Sequence, residues 1–234
     1  GYLSTGRSFR TQKTQELIRF GASFADLNAD VFSQGHDQNI RAVLFSGRRP
    51  RQLYLGGVKQ KSAAALPGVL TTVLFCPEDL LVLKGGSQPR RRLLDNALCQ
   101  LRPSYASPLT EYHRLLDSKS RILKDYREKP DLLEPLPEYN YRLAQVGAIL
   151  ISHRARYLKA LEQAASGYHS AFSAGKETMT LVYRTVSTVE DPFAERKTIF
   201  EQILEHQERH YRAELDAGQC LTGPHKDDFD ALLD

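Results

Sequence analysis

Phe75-Cys76-Pro77-Glu78-Asp79-Leu80-Leu81-Val82-Leu83-Lys84-Gly85, followed by Arg90-Arg91-Arg92-Leu93-Leu94-Asp95, is the stretch on which the fold turns. Just before it, Leu70 to Phe75 is an apolar run stopped by Pro77. It is too short for a helix and rich in Thr, Val and Phe, so it predicts a buried strand. Just after it the period changes. Leu94, Ala97, Leu98 and Leu101 recur at helical spacing until Pro103 ends the pattern. Within this window, sheet gives way to helix.

Towards the N-terminus the reading stays β. Ile18, Phe20, Ala22 and Phe24 alternate with Arg19, Gly21 and Ser23, predicting a half-buried strand. Ile40 to Phe45 is a second β-rich run. Gly47-Arg48-Arg49-Pro50 is a turn, and Gln52 to Leu55 returns, so a hairpin is expected. Towards the C-terminus, Ser107-Pro108 reads as an N-cap with proline at the first helical position. Leu109, Tyr112, Leu116, Leu123 and Tyr126 then form one helical face. Pro130, Pro135 and Pro137 mark a linker. Leu143, Val146, Leu150, His153, Tyr157 and Leu161 form a longer stripe, with Gly167 as its expected end. These three helices predict a helical subdomain, with Leu94, Leu98, Leu116, Leu150 and Leu161 in its core.

Thr178 to Val186 then reads as a strand, and Asp191-Pro192 as the cap of a helix running to about Leu215, stopped by Gly218. The order is β region, helical insertion, strand, helix. It predicts a mixed α/β fold in which a sheet-based domain is interrupted by helices, so that its ends must pack together.

The chain of 234 residues is long enough for one large domain or two small ones. With 41% hydrophobic and 26% charged residues it is a globular composition, not a disordered one. No apolar run approaches the roughly 20 residues of a membrane span, and no basic-then-apolar leader opens the chain. Cys76, Cys99 and Cys220 are too few, and odd in number, for a disulfide framework, so a reducing cytosol fits best. The net charge of +4 is unevenly placed. Residues 1–70 carry ten Lys and Arg against four acids, residues 84–129 eleven against five, and residues 184–234 six against twelve. Arginine outnumbers lysine 21 to 11, which suits planar, bidentate recognition of phosphate; a salt-bridged surface is the plainer reading. On this split, residues 1–129 are expected to face a phosphate-rich partner.

Local motifs exclude more than they assign. Gly1 to Ser8 approaches a phosphate loop, but Arg7 stands where lysine is required and no strand precedes it. Gly175-Lys176-Glu177 fails as well, with Ser170 in place of the first glycine. His206 and His210 are spaced i, i+4 without the HExxH pattern, which leaves ordinary solvated helix positions. His225, Asp227 and Asp228 could ligate a metal or simply organise a loop. No Gly-x-Ser-x-Gly elbow anchors a hydrolase triad. Arg90, Arg91 and Arg92 open a helix whose N-terminus favours anions, so an acid or a phosphate should answer them.

Phe75 to Gly85 with Arg90 to Asp95 resembles the central signature of the RecF family of bacterial DNA replication and repair proteins. Thr5-Gly6-Arg7-Ser8-Phe9-Arg10 and Gly223-Pro224-His225-Lys226-Asp227-Asp228 agree with it. The three motifs stand in order across nearly the whole chain. Ser87 departs from a usual proline, Leu93 from an aromatic residue and Lys226 from an arginine. The resemblance implies an ABC-type ATPase head related to those of SMC proteins. Residues 1–86 would be the β-rich lobe I, residues 87–175 a helical lobe II, and residues 176–234 a return to the head. It implies ATP and Mg²⁺ as ligands of the parent protein, an ATP-dependent homodimer, gapped DNA with single-strand/double-strand junctions, and the partners RecO and RecR in loading RecA. It also implies a cytoplasmic protein with no membrane association.

By resemblance, Glu78, Asp79, Arg91 and Arg92 are candidates for nucleotide sensing at the lobe junction, and Arg7, Arg10 and Arg90 for DNA or nucleotide contact. Capping of the next turn by Glu78 and Asp79 is an equal alternative, as is an internal salt bridge for Arg10. The phosphate loop would precede Gly1, and the ABC signature and Walker B acid would follow Asp234. The chain is therefore expected to be an internal piece with no catalytic residues or metal ligands of its own, inactive alone. The other reading is a non-catalytic DNA- or protein-binding helical adaptor.

Overall fold

The computed structural model describes all residues except Arg7, Phe9, Arg10, Gln12 and Gln34, and the side chains of Ser33, Ala64 and Glu78. The chain falls into two compact units: residues 1–76 with 99–106, and residues 77–98 with 107–234.

The first unit is built on a four-stranded antiparallel meander, β1 (Phe24–Ser33), β2 (His36–Phe45), β3 (Gln52–Leu55) and β4 (Val58–Gln60), in sequence order. A short helix, α1 (Tyr2–Thr5), and a 3₁₀ turn at Thr14–Leu17 precede it. β1 pairs with β2 from Phe24↔Phe45 to Ser33↔His36. The β3–β4 connection is the two-residue turn Gly56-Gly57, both at positive φ, which matches the twist of a tight hairpin. Ile40, Ala42, Leu53 and Leu66 form the core, with Leu27 and Val31 of β1 packed against it.

The expected hairpin of residues 40–55 is present. The strand expected over residues 18–24 is not. Gly21 turns the chain at φ 80°, the amide of Ala22 donates to the carbonyl of Arg19, and Phe20 is fully exposed. The ladder starts only at Phe24. Residues 70–75 are also not a strand: Thr71 to Cys76 is irregular, with Val73 and Phe75 exposed. A strand needs a neighbour to satisfy its amides and carbonyls, and the meander ends at β4.

The second unit holds α2 (Leu81–Lys84), α3 (Ser87–Leu101), α4 (Pro103–Asp125), α5 (Leu136–Phe172), β5 (Met179–Arg184), α6 (Arg196–Ala217) and β6 (Asp228–Leu233); the last turn of α3 and the first of α4 belong to the first unit. α5 and α6 bury Ala144, Ala148 and Ile151 against Ile199 and Ile203. Each fully buried Ile or Leu contributes about 1.5–3 kcal/mol. Ile122, Leu123, Leu136 and Cys220 form a second cluster, and Leu94, Leu158 and Phe229 a third. β5 and β6 pair antiparallel from Met179↔Leu233 to Arg184↔Asp228. Leu94, Leu98 and Leu150 are buried as expected, while Leu116 and Leu161 are half-buried at cluster edges.

Three helix ends differ from expectation. α4 starts at Pro103, not at Pro108, which lies inside the helix. Pro103 takes the first helical position, where a missing N–H costs nothing. α5 runs through Gly167 to Phe172 and is ended by Ala174 and Gly175 at positive φ. α6 starts at Arg196, because Asp191 accepts the Phe193 amide at 2.8 Å in a local turn instead of capping a helix.

Candidate functional site

The turn at residues 223–228 is tied down from several elements of the second unit. α6 ends at Gly218 in the left-handed conformation. The Glu214 carboxylate of its last turn then accepts the amides of Leu221 and Thr222, at 2.9 and 3.2 Å, and the Thr222 hydroxyl at 3.0 Å. Gly223 sits at φ 122°, and a Cβ there would lie 2.5 Å from the Tyr112 hydroxyl. Pro224 packs on Gly147 of α5, where a Cβ would meet its ring at 3.2 Å. The His225 imidazole bonds the Tyr112 hydroxyl through Nδ1 at 2.9 Å and the Cys220 carbonyl through Nε2 at 3.4 Å. Burial pushes its pKa down to about 4, so it is neutral near pH 7: Nε2–H donates and Nδ1 accepts. Burial holds the Tyr112 phenol well above its ordinary range, as a donor.

Three arginines meet the two aspartates that end the turn. Arg154 of α5 grips Asp95 of α3 with Nε and Nη2, both at 2.9 Å. Its Nη1 donates to the Pro224 carbonyl at 2.7 Å and to Asp227 at 3.3 Å. Asp227 also accepts the Tyr183 hydroxyl of β5 and the Thr185 hydroxyl, the latter at 2.8 Å. Its complete burial raises its pKa against the pull of Arg154. Arg90 forks onto Asp228 with Nε at 2.5 Å and Nη2 at 2.8 Å, and its Nη1 reaches the carbonyls of Val82 and Gly85. That pairing lowers the pKa of Asp228 and raises that of Arg90. Arg91 donates to the Asp227 carbonyl at 2.6 Å. Buried ion pairs hold only when such hydrogen bonds satisfy the rest of the charge. The arrangement is a clasp joining α3, α5, β5 and the turn.

Two of the motifs seen in sequence, the Arg90–Asp95 run and the 223–228 turn, therefore touch. Arg90 and Arg91 take partners from the far end of the chain. Asp79 lies half-buried in the 3₁₀ turn Pro77–Leu80, and Arg92 and Lys226 are exposed. The Glu78 side chain, Arg7 and Arg10 lie outside the described residues. His206 is buried, not solvated as expected, because its face of α6 packs inward; its ring lies 4.1 Å from that of His210. Among the described residues, no group of three or more His, Cys, Asp and Glu is placed to hold a metal, and no helix is long and apolar enough to cross a membrane.

Arg154, the centre of the clasp, escaped the sequence reading. The stripe read as Leu150, His153, Tyr157 and Leu161 is rotated from the buried face, which carries Leu150, Ile151, Arg154, Ala155 and Leu158. An arginine at i+4 from Leu150 and i−4 from Leu158 was the available signal.

No protein-family model matches the chain. The "DNA replication and repair protein RecF" of Lactobacillus johnsonii is 30% identical over 233 residues, 99% of this chain and 62% of its own length. That of Agathobacter rectalis is 32% identical over 97% of this chain and 60% of its own. A solved structure of the recombination mediator protein RecF of the RecFOR pathway, as RecF-ATPrS, superposes with a TM-score of 0.91 at 26% identity. It is matched over 99% of this chain and 62% of its own. In sequence and in fold the chain is similar to RecF proteins over nearly its whole length. A second RecF structure, RecF-ATP, gives a TM-score of 0.86 at 27% identity. The mixed α/β fold is thus that of the ABC-ATPase-like RecF proteins. The chain spans about 62% of the length of the RecF relatives it matches.

Proposed function

We propose that this chain is the middle of a RecF-type protein of DNA replication and repair, acting in the RecFOR pathway. Such a protein binds ATP with Mg²⁺, pairs with a second copy when ATP is bound, and engages gapped DNA at single-strand/double-strand junctions. With RecO and RecR it helps load RecA. The observation that carries this reading is the likeness to RecF over nearly the whole chain, in sequence and in fold alike. The solved relatives are RecF-ATPrS and RecF-ATP, which supports nucleotide binding by the parent protein. The exposed apolar run Val73 to Phe75 supports a longer protein whose remaining part covers it.

On this reading residues 1–86 form lobe I, residues 87–175 lobe II, and residues 176–234 return to the head. By the same likeness Glu78, Asp79, Arg91 and Arg92 are candidates for passing the nucleotide state between lobes, and Arg7, Arg10 and Arg90 for nucleotide or DNA contact. Phosphoryl transfer is mostly positioning and electrostatics, so the chain lacking a phosphate loop turns over no ATP alone.

The test uses the full-length protein. Its affinity for a gapped duplex is measured with and without ATP and Mg²⁺, and RecA loading on the gap is followed with RecO and RecR present. ATP-strengthened binding and faster loading are expected. A full-length protein that binds DNA identically without ATP, and leaves loading unchanged, overturns the proposal in favour of a helical adaptor.

A further inference from the structure

The β2–β3 turn carries Arg48, Arg49 and Arg51 around a recess of about 360 Å³, lined also by Thr14, Gln15 and Phe45. All belong to the first unit. Two of the three arginines are set in place by groups that leave donors free. The Arg49 guanidinium lies 4.2 Å over the Phe45 ring, which holds its plane and leaves its N–H edge open. Arg51 Nη1 donates to the Tyr2 hydroxyl at 2.9 Å and to the Gly6 carbonyl. Arg48 is exposed.

Several arginines elsewhere in the chain are answered by acids. Arg41 pairs with Asp26, Arg90 with Asp228, Arg142 with Glu111, Arg154 with Asp95 and Arg184 with Asp230. Among the described residues, no carboxylate pairs with Arg48, Arg49 or Arg51, and none lines the recess. Glu16, one residue from Gln15, is already engaged by Lys13 and Thr11. Three like charges within four residues repel one another unless an anion answers them.

We infer that this turn is a docking site for the phosphodiester backbone of nucleic acid. The donors are exposed and spread over a turn, not enclosed around one small anion. That suits a polyanion bound through several surface contacts, each releasing counterions. The Thr14 hydroxyl and the Gln15 amide supply neutral donors of the kind that fix backbone register. The inference rests on the DNA-binding reading above, and it locates part of that contact at a turn outside the three family motifs.

The test measures duplex affinity of the full-length protein across a salt series, for wild type, Arg48→Ala/Arg49→Ala and Arg48→Lys/Arg49→Lys. The alanine variant is expected to lose about 1.8 units from the slope of log affinity against log salt, at about 0.9 per phosphate contact. The lysine variant should restore the slope, with an unchanged thermal melt in both. Inorganic phosphate at matched ionic strength should not compete. Competition by phosphate alone would mean a small-anion site and overturn the inference. So would wild-type binding with an unchanged slope in the alanine variant. Wild-type protein that binds no DNA at any salt would instead defeat the functional reading, and this inference with it.

Discussion

Lys119 Nζ lies 2.6 Å from Glu214 Oε2, with both side chains 1% exposed. The pair joins α4 to the end of α6, and the other oxygen of Glu214 holds the chain as it enters the 223–228 turn. Removing one partner leaves a buried charge uncompensated, at a cost of about 3–5 kcal/mol. Lys119→Met and Glu214→Gln should each destabilise the full-length protein in urea denaturation. Glu214→Gln should do so in part through the weakened amide acceptor. A midpoint unchanged for Lys119→Met would mean that the two charges are solvated.

Gly223 has no room for a side chain. Gly223→Ala meets both an unfavourable φ and the Tyr112 oxygen, and should cost more than about 2 kcal/mol. Adding Tyr112→Phe should recover part of this by removing the oxygen from the clash. A double variant no more stable than Gly223→Ala alone would place the whole penalty in the backbone.

His225 makes stability depend on pH. Its folded pKa of about 4 lies below the usual value near 6.5, so the unfolded chain binds the extra proton between these limits. Stability should therefore fall as the pH drops from about 6.5 towards 4, by an amount on the order of 2–3 kcal/mol. Asp227, with its raised pKa, works in the opposite sense, and Asp228, with its lowered pKa, adds loss only below the ordinary carboxylate range. Urea midpoints from pH 7.5 to 4.5 for wild type and His225→Gln separate the histidine's part. Parallel curves would show that His225 does not carry it.

Arg91 is expected to act inside the fold. Its bond to the Asp227 carbonyl implies that Arg91→Ala lowers stability by about 1–3 kcal/mol and leaves the salt dependence of DNA binding unchanged. A slope reduced by about one unit with an unaltered melt would assign Arg91 to phosphate instead.

Leu150 and Leu161 should differ. Leu150 is fully buried and Leu161 half-buried at the edge of its cluster. Leu150→Ala should cost about 2–5 kcal/mol, and Leu161→Ala clearly less. Equal losses in denaturant melts would mean that the edge of that cluster is covered in the full-length protein.

The helices were legible because their stripes are long and strongly periodic, as from Leu94 to Leu101. β1 was missed because its alternation is carried by Ala25, Leu27, Ala29 and Val31 against Asp26, Asn28 and Asp30, residues that local propensity assigns to turns. Residues 70–75 show the converse: strand composition without a strand, since pairing depends on a neighbour that composition does not reveal. The motifs at 90–95 and 223–228 stood out individually. Their union did not, because Arg90 and Asp228 are 138 residues apart, and Arg154 resembles an ordinary surface arginine until its helix face is fixed.

The same separation puts a clock on biosynthesis. Arg90 leaves the ribosome 138 residues ahead of the carboxylate that neutralises it, an interval of about 10 s at common translation rates. Through that interval α3 shows its arginines to solvent without their internal acids, and Arg154 has Asp95 but not Asp227. The second unit cannot close cooperatively until its last strand is made. A nascent chain arrested before residue 223 should therefore be open to proteolysis and to polyanion capture, and one extended past Leu233 resistant to both.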